Sequence, residues 1–159
     1  YFYDGVNVGD LLMKVDMVPI SLALAQASVE SGWGTSRYAR EGNAIFGQYT
    51  YDDDNNSGLI PKDRPDDERY LIKKFINLSE STGSYLKNLN THKAYKEFRQ
   101  ARKKIRMNGE KLDGSTLAQY LINYSERKQL YIEDLKKIIS SNSFDKFDTI
   151  YSNENLVSD

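Results

Sequence analysis

The stretch from Pro19 to Ser36, Pro-Ile-Ser-Leu-Ala-Leu-Ala-Gln-Ala-Ser-Val-Glu-Ser-Gly-Trp-Gly-Thr-Ser, constrains this chain more than any other. Its alanines, leucines and Gln26 are good helix formers, and Pro19 suits the first helical position, where a missing N–H costs nothing. The small side chains let a neighbouring element approach closely. Gly32 suits the left-handed residue that closes many helices. Glu30 then falls in the last turn, at the negative pole of the helix dipole, where an acid is disfavoured. Dipole and desolvation beside Trp33 would both hold a proton on its carboxyl, the condition a general acid needs near neutral pH. The plainer reading leaves Glu30 solvated or paired with Arg37 or Arg40.

The block from Ser21 to Gln48, which runs through Glu30-Ser-Gly-Trp-Gly-Thr and Gly42-Asn-Ala-Ile-Phe-Gly-Gln48, resembles the Bax-type bacterial glucosaminidases. These are endo-β-N-acetylglucosaminidases that cut peptidoglycan. Shorter segments continue the resemblance in the expected order, Leu89-Asn-Thr-His-Lys-Ala-Tyr95 and Tyr124-Ser-Glu-Arg127. The resemblance implies an α+β, predominantly helical fold, a lysozyme-like helical body with a small β-lobe. It implies hydrolysis of N-acetylglucosaminyl β-1,4 bonds in peptidoglycan glycan strands. A periplasmic or otherwise extracytoplasmic location is what that substrate implies.

Composition narrows the chemistry. A chain of 159 residues is long enough to bury one substantial core, and the expectation is a single domain over residues 1–148 with a polar tail over 149–159. With no cysteine, neither a disulfide frame nor a thiolate nucleophile or metal site is possible. One histidine excludes a site of several histidine ligands, so no metal and no cofactor is expected. No apolar run approaches the roughly 18 residues a membrane-spanning helix needs. A net charge of -1 gives no global attraction to nucleic acid, and no nucleic-acid partner is expected.

Along the chain, Val8, Leu11, Leu12 and Val15 recur at helical spacing and predict a short helix ending near Asp16. The Glu30 helix follows, then a short helix capped by Thr35 or Ser36 and ending near Gly42. Residues 43–51 read as a loop into a strand, 52–58 as a polar turn, and Glu68 to Phe75 as the returning strand. Ser79 is read as the cap of a helix through Asn88, and Thr91 as the cap of another through Met107. A helix from Gly114 carries Leu117, Tyr120, Leu121 and Tyr124 on one face. After a break near Ser125, Leu130, Tyr131, Leu135 and Ile138 form a buried stripe.

Glycosidic cleavage needs an acid for the leaving oxygen and commonly a second carboxylate as base or nucleophile. Glu30 is the candidate acid. Glu68 is the candidate second carboxylate, since it precedes the proposed strand as the family's second acid does; Asp66, Asp67 and Asp52 to Asp54 remain alternatives, and a solvated acidic loop is the bland reading. The resemblance also implies an active-site tyrosine on a late helix, and Tyr124 is the best match, although it continues an apolar stripe. Asn43, Phe46, Gly47 and Gln48 are read as the floor of a cleft. There the amides of Asn43 and Gln48 suit N-acetyl and hydroxyl groups, Gly47 permits close backbone approach, and Phe46 is core or a stacking ring. Trp33 is read as a wall of the acid's pocket or as a sugar contact.

Nine Lys/Arg residues lie between Lys87 and Lys111 against Glu97 and Glu110, and the spacing reads as a solvated basic face. His92 reads as structural. Two rival functions remain at this stage: a lytic transglycosylase, which also sets a glutamate before serine but yields an anhydro product, and a non-catalytic glycan-binding envelope module.

Overall fold

The computed structural model describes residues 7–51 and 57–149. In chain order the elements are α1 (Val8–Lys14), α2 (Ile20–Ser31), α3 (Arg37–Gly42), β1 (Tyr49–Thr50), β2 (Gly58–Leu59), β3 (Leu71–Lys73), α4 (Leu78–Thr91), α5 (Lys96–Met107), α6 (Gly114–Ala118) and α7 (Gln129–Ser141). Turns of 3₁₀ helix occupy Lys93–Tyr95, Gln119–Leu121 and Phe144–Thr149. The fold is a predominantly helical α+β arrangement. The described residues fall into two compact units, Gln26–Tyr85 and the remainder, residues up to Ala25 together with those from Leu86 onward.

The larger unit is helical. Its core holds Leu22, Leu89, Phe98, Leu117, Leu121, Ile132, Leu135 and Ile139, all almost fully buried. α7 packs on α6 and on the Phe144–Thr149 turn, and α5 packs on α1 and α6. Two polar anchors hold these helices. The first is Asp148, buried in the last 3₁₀ turn. Its carboxylate accepts from the Ser21 N–H (2.8 Å), the Ser21 hydroxyl (2.6 Å) and the Gly114 N–H (3.1 Å). Those N–H groups open α2 and α6, so one acid satisfies two helix N-termini and complements both dipoles. Gly114 permits the approach, since a Cβ there would come within 2.8 Å of the Leu22 nitrogen.

The second anchor is Arg102 of α5, which is wholly buried. Its guanidinium donates to the carbonyls of Met13 (2.7 Å), Asp16 (3.0 Å) and Met17 (3.0 Å), and to the Asn90 side-chain oxygen (2.7 Å). Its Nε lies 3.5 Å from the Asp16 carboxylate. Burial pushes its pKa down to about 10, partly offset by Asp16. Arg99, also buried, donates to the Leu89 and His92 carbonyls at 2.9 Å. The basic stretch is therefore not a uniformly solvated face, because two of its arginines tie irregular backbone from inside the unit. Period and charge alone do not reveal such carbonyl-seeking arginines.

Unit Gln26–Tyr85 carries the sheet, in spatial order β1-β3-β2 and antiparallel throughout. Tyr49 pairs with Ile72 and Thr50 with Leu71 on one side, and Leu59 pairs with Ile72 on the other. The returning strand is shorter than expected, Leu71–Lys73, and Glu68 lies before it on a turn closed by its own N–H to the Pro65 carbonyl (3.1 Å). Pro65 and the adjacent charges favour that turn over continued pairing.

Several boundaries differ from expectation for local reasons. α4 is capped by Asn77, whose Oδ1 accepts from the Glu80 N–H (2.9 Å) while the Glu80 carboxylate takes the Ile76 N–H (2.9 Å). This reciprocal capping starts the helix ahead of Ser79. α4 runs through Thr91, and His92 caps the next 3₁₀ turn by accepting from the Ala94 N–H (3.2 Å). The helix from Gly114 breaks after Ala118 into 3₁₀, which leaves Tyr124 on a turn whose N–H reaches the Leu121 carbonyl (2.8 Å). In α7 the buried stripe is Tyr131, Ile132, Leu135 and Ile139, so Leu130 is exposed instead. α1 forms where expected with Asn7 as its cap, yet no residue of it is buried. The polar turn at 52–56 and all of the tail but Thr149 lie outside the described residues.

Candidate active site

α2 delivers Glu30 to its last turn, where the side chain is half-buried. The helix stops just behind it by a dense set of bonds. The Ser31 hydroxyl donates to the Ala27 carbonyl (2.5 Å) and accepts from the Gly34 N–H (2.8 Å), and the Trp33 N–H reaches the Ser28 carbonyl (2.8 Å). Gly32, Trp33 and Gly34 are all left-handed, with φ of 57°, 56° and 77°. Gly32 thus closes the helix as expected. Trp33 is unusual, since a non-glycine residue seldom adopts this conformation. The residue is 58% exposed just beyond the end of α2.

The loop after α3 supplies the opposing surface. Asn43 caps α3 in a left-handed conformation (φ 51°), and its amide donates to the carbonyls of Phe75 (3.0 Å) and Ile76 (3.2 Å). At the loop's other end the Gln48 carbonyl accepts from the Lys73 N–H (2.8 Å). Between them, Phe46 is buried and stacks on Tyr85 with ring centres 3.9 Å apart and planes 8° from parallel. The Tyr85 hydroxyl donates to the Gln26 side-chain oxygen (2.8 Å), and both residues are fully buried.

This pinned loop sets Gly47 against the acid. Gly47 has a φ of 61°, and a Cβ built on it would lie 2.9 Å from Glu30 Oε2. Only a glycine gives the backbone that approach. Glu30 and Gly47 therefore meet. Phe46 reaches the site through Tyr85 and presents no open ring. Asn43 spends its amide donors on the strand exit. Gln48 keeps its Oε1 buried with no hydrogen-bond partner, an uncommon state for a polar atom.

Glu68 is exposed on the loop that leads to β3. That loop is latched to α3 by Arg37, which donates to the Ile60 carbonyl (2.6 Å), and by the Tyr38 hydroxyl, which accepts the Lys62 N–H (3.1 Å). Asp66 and Asp67 are exposed beside Glu68, and Asp52 to Asp54 lie outside the described residues. Arg37 forms its ion pair with Glu41 (3.6 Å).

Tyr124 belongs to the helical unit and is half-buried. Its ring lies parallel to Tyr131 at 5.8 Å and tilted against Tyr95 at 6.0 Å, and Tyr95 in turn meets His92 at 5.9 Å. The two later segments of the sequence resemblance thus meet through their rings. Among the described residues no three His, Asp or Glu side chains converge as metal ligands would, and no helix is long and apolar enough to cross a membrane.

Sequence reasoning passed over Gln26, Tyr85 and Ser31. Gln26 had a signal, the one amide side chain of α2, placed one turn before Glu30. Tyr85 had none, because its partners lie far away in the chain.

The chain belongs to the glucosaminidase family: the family model for mannosyl-glycoprotein endo-beta-N-acetylglucosaminidase matches residues 8–144. Among individual proteins it is similar to Protein bax of Escherichia coli (strain K12), with 33% identity over 124 residues, 76% of this chain. The chain spans less than half of that relative, 42% of its length. No solved structure matches it.

Proposed function

We propose that this chain is a glycoside hydrolase that cuts N-acetylglucosaminyl β-1,4 bonds in the glycan strands of peptidoglycan, with Glu30 as general acid. The observation that carries the reading is the approach of Gly47 to the Glu30 carboxylate, 2.9 Å from the position a Cβ would take. A half-buried carboxyl packed on bare backbone has restricted hydration and rotamers, which suits delivery of a proton to a leaving glycosidic oxygen. Membership of a family described by an endo-β-N-acetylglucosaminidase supports the reaction class. The peptidoglycan substrate rests on the sequence resemblance to the Bax-type enzymes.

In this reading Glu68, or Asp66 or Asp67 on the same loop, acts as base or nucleophile, and the latch from Arg37 and Tyr38 holds that loop. Trp33 offers an exposed ring for stacking on a sugar face. The amide of Gln48 is suited to an N-acetyl or hydroxyl group. The substrate places the enzyme outside the cytoplasm.

Mass spectrometry of the products from purified peptidoglycan tests the bond assignment. New reducing N-acetylglucosamine ends are expected. Anhydro-muramic ends would instead make the chain a lytic transglycosylase, and binding of chito-oligomers without cleavage would make it a glycan-binding module. Release of high-mannose glycans from a glycoprotein, with peptidoglycan untouched, would replace the substrate but keep the reaction.

A further inference from the structure

We propose that Tyr85 is a positioning residue for Glu30, acting on the acid from two sides at once. The inference rests on the reading of Glu30 as the general acid. On the helix side, the Tyr85 hydroxyl donates to Gln26 Oε1 (2.8 Å), and Gln26 lies one turn before Glu30 on the same face of α2. On the loop side, the Tyr85 ring stacks flat on Phe46 (3.9 Å, 8°), the residue before Gly47, whose backbone abuts Glu30 Oε2. One side chain therefore sets both the helix that carries the carboxyl and the backbone that limits it.

Burial makes that control stiff. Tyr85 and Gln26 are 0% exposed and Phe46 is 3% exposed, so none has solvent into which to rotate. A hydrogen bond between two buried neutral groups is strongly retained, because breaking it strands both partners away from water. The loop's ends are pinned independently, by Asn43 on the Phe75 and Ile76 carbonyls and by the Gln48 carbonyl on the Lys73 N–H. Ala44 and Ile45 are held by their N–H groups on the Tyr38 (3.1 Å) and Asn43 (3.2 Å) carbonyls, and Tyr85 adds a seat for Phe46, next to Gly47. A displacement of about 1 Å at a reacting group can cost two orders of magnitude in rate, so a second-hand contact of this kind has catalytic leverage.

The test uses the full chain with Tyr85→Phe and Tyr85→Leu, and Phe98→Leu as a destabilised core control in the helical unit. Tyr85→Phe keeps the ring and loses the hydroxyl; about a tenfold fall in kcat with KM within about twofold is expected. Tyr85→Leu also loses the stack, and a fall of about a hundredfold in kcat is expected in the fraction that folds. Phe98→Leu should lower the melting temperature and leave kcat alone, which separates positioning from stability. Tyr85→Phe with wild-type kcat would overturn the proposal.

A second readout needs no catalysis. Carbon-13 NMR of labelled glutamate carboxyls should show the Glu30 titration midpoint moving by at least about 0.3 pH unit in Tyr85→Phe, with the other glutamates fixed. An unmoved midpoint would overturn the positioning role even in a protein that cleaves no glycan. A fully active Glu30→Gln variant would overturn the reading of Glu30 instead.

Discussion

Alanine at position 47 meets two costs together. At a φ of 61° its side chain crowds its own backbone, and its Cβ would press on Glu30 Oε2 at 2.9 Å. We expect Gly47→Ala to lose about 1–3 kcal/mol of stability in a urea titration. We also expect glycan cleavage to fall about a hundredfold, beyond what the stability loss explains. Wild-type turnover in the folded variant would show that the approach to Glu30 has no catalytic meaning. At this scale the legible residues were those with local signals. Gly32 and Glu30 could be placed because a helix and its stop lie within one short stretch. Tyr85 could not, since Gln26 is 59 residues away, nor could Arg102, whose carbonyl partners Asp16 and Met17 lie more than 80 residues away.

Among the elements, the start of α2 and the start of α6 share one acid. Removing it in Asp148→Ala strands two N–H groups and the Ser21 hydroxyl in a buried place, and about 2–4 kcal/mol should be lost. Asp148→Asn retains an acceptor and should lose less; equal losses would argue against shared capping. Arg102 sets a second test. Arg102→Met strands the Met13 and Met17 carbonyls and the Asn90 side-chain oxygen, while Asp16 keeps Arg106 on its carboxylate (3.0 Å) and the Asn90 amide on its carbonyl (3.0 Å), and a loss of about 2–4 kcal/mol is expected. Burial lowers the Arg102 pKa to about 10, so the folded state disfavours its charged form and gains relative stability only as pH rises past about 10. Through the range from about pH 6 to 9 the guanidinium stays charged, and the cost of Arg102→Met should hold constant there. Helix existence was legible from period and caps. Helix ends were not: Asn77 with Glu80 outcompeted Ser79, and the 3₁₀ turns have no periodic signature.

For the molecule as a whole, a helical α+β fold could be read from a few strongly patterned segments. The sheet was legible in place but not in extent, because two- and three-residue strands are set by pairing partners and not by alternation. The basic stretch from Lys87 to Lys111 is solvated at seven of its nine cations, and composition alone could not show that Arg99 and Arg102 face inward. With a net charge of -1, we expect no binding to duplex DNA at about 10 µM protein in physiological salt; salt-sensitive binding in fluorescence anisotropy would refute this. The central claim remains the role of Glu30, and the most direct measurement compares digestion of purified peptidoglycan by wild type and Glu30→Gln at equal melting temperature. Cleavage by the wild type is expected, with a loss of at least about a thousandfold in the variant. A folded Glu30→Gln that cleaves at the wild-type rate would contradict it.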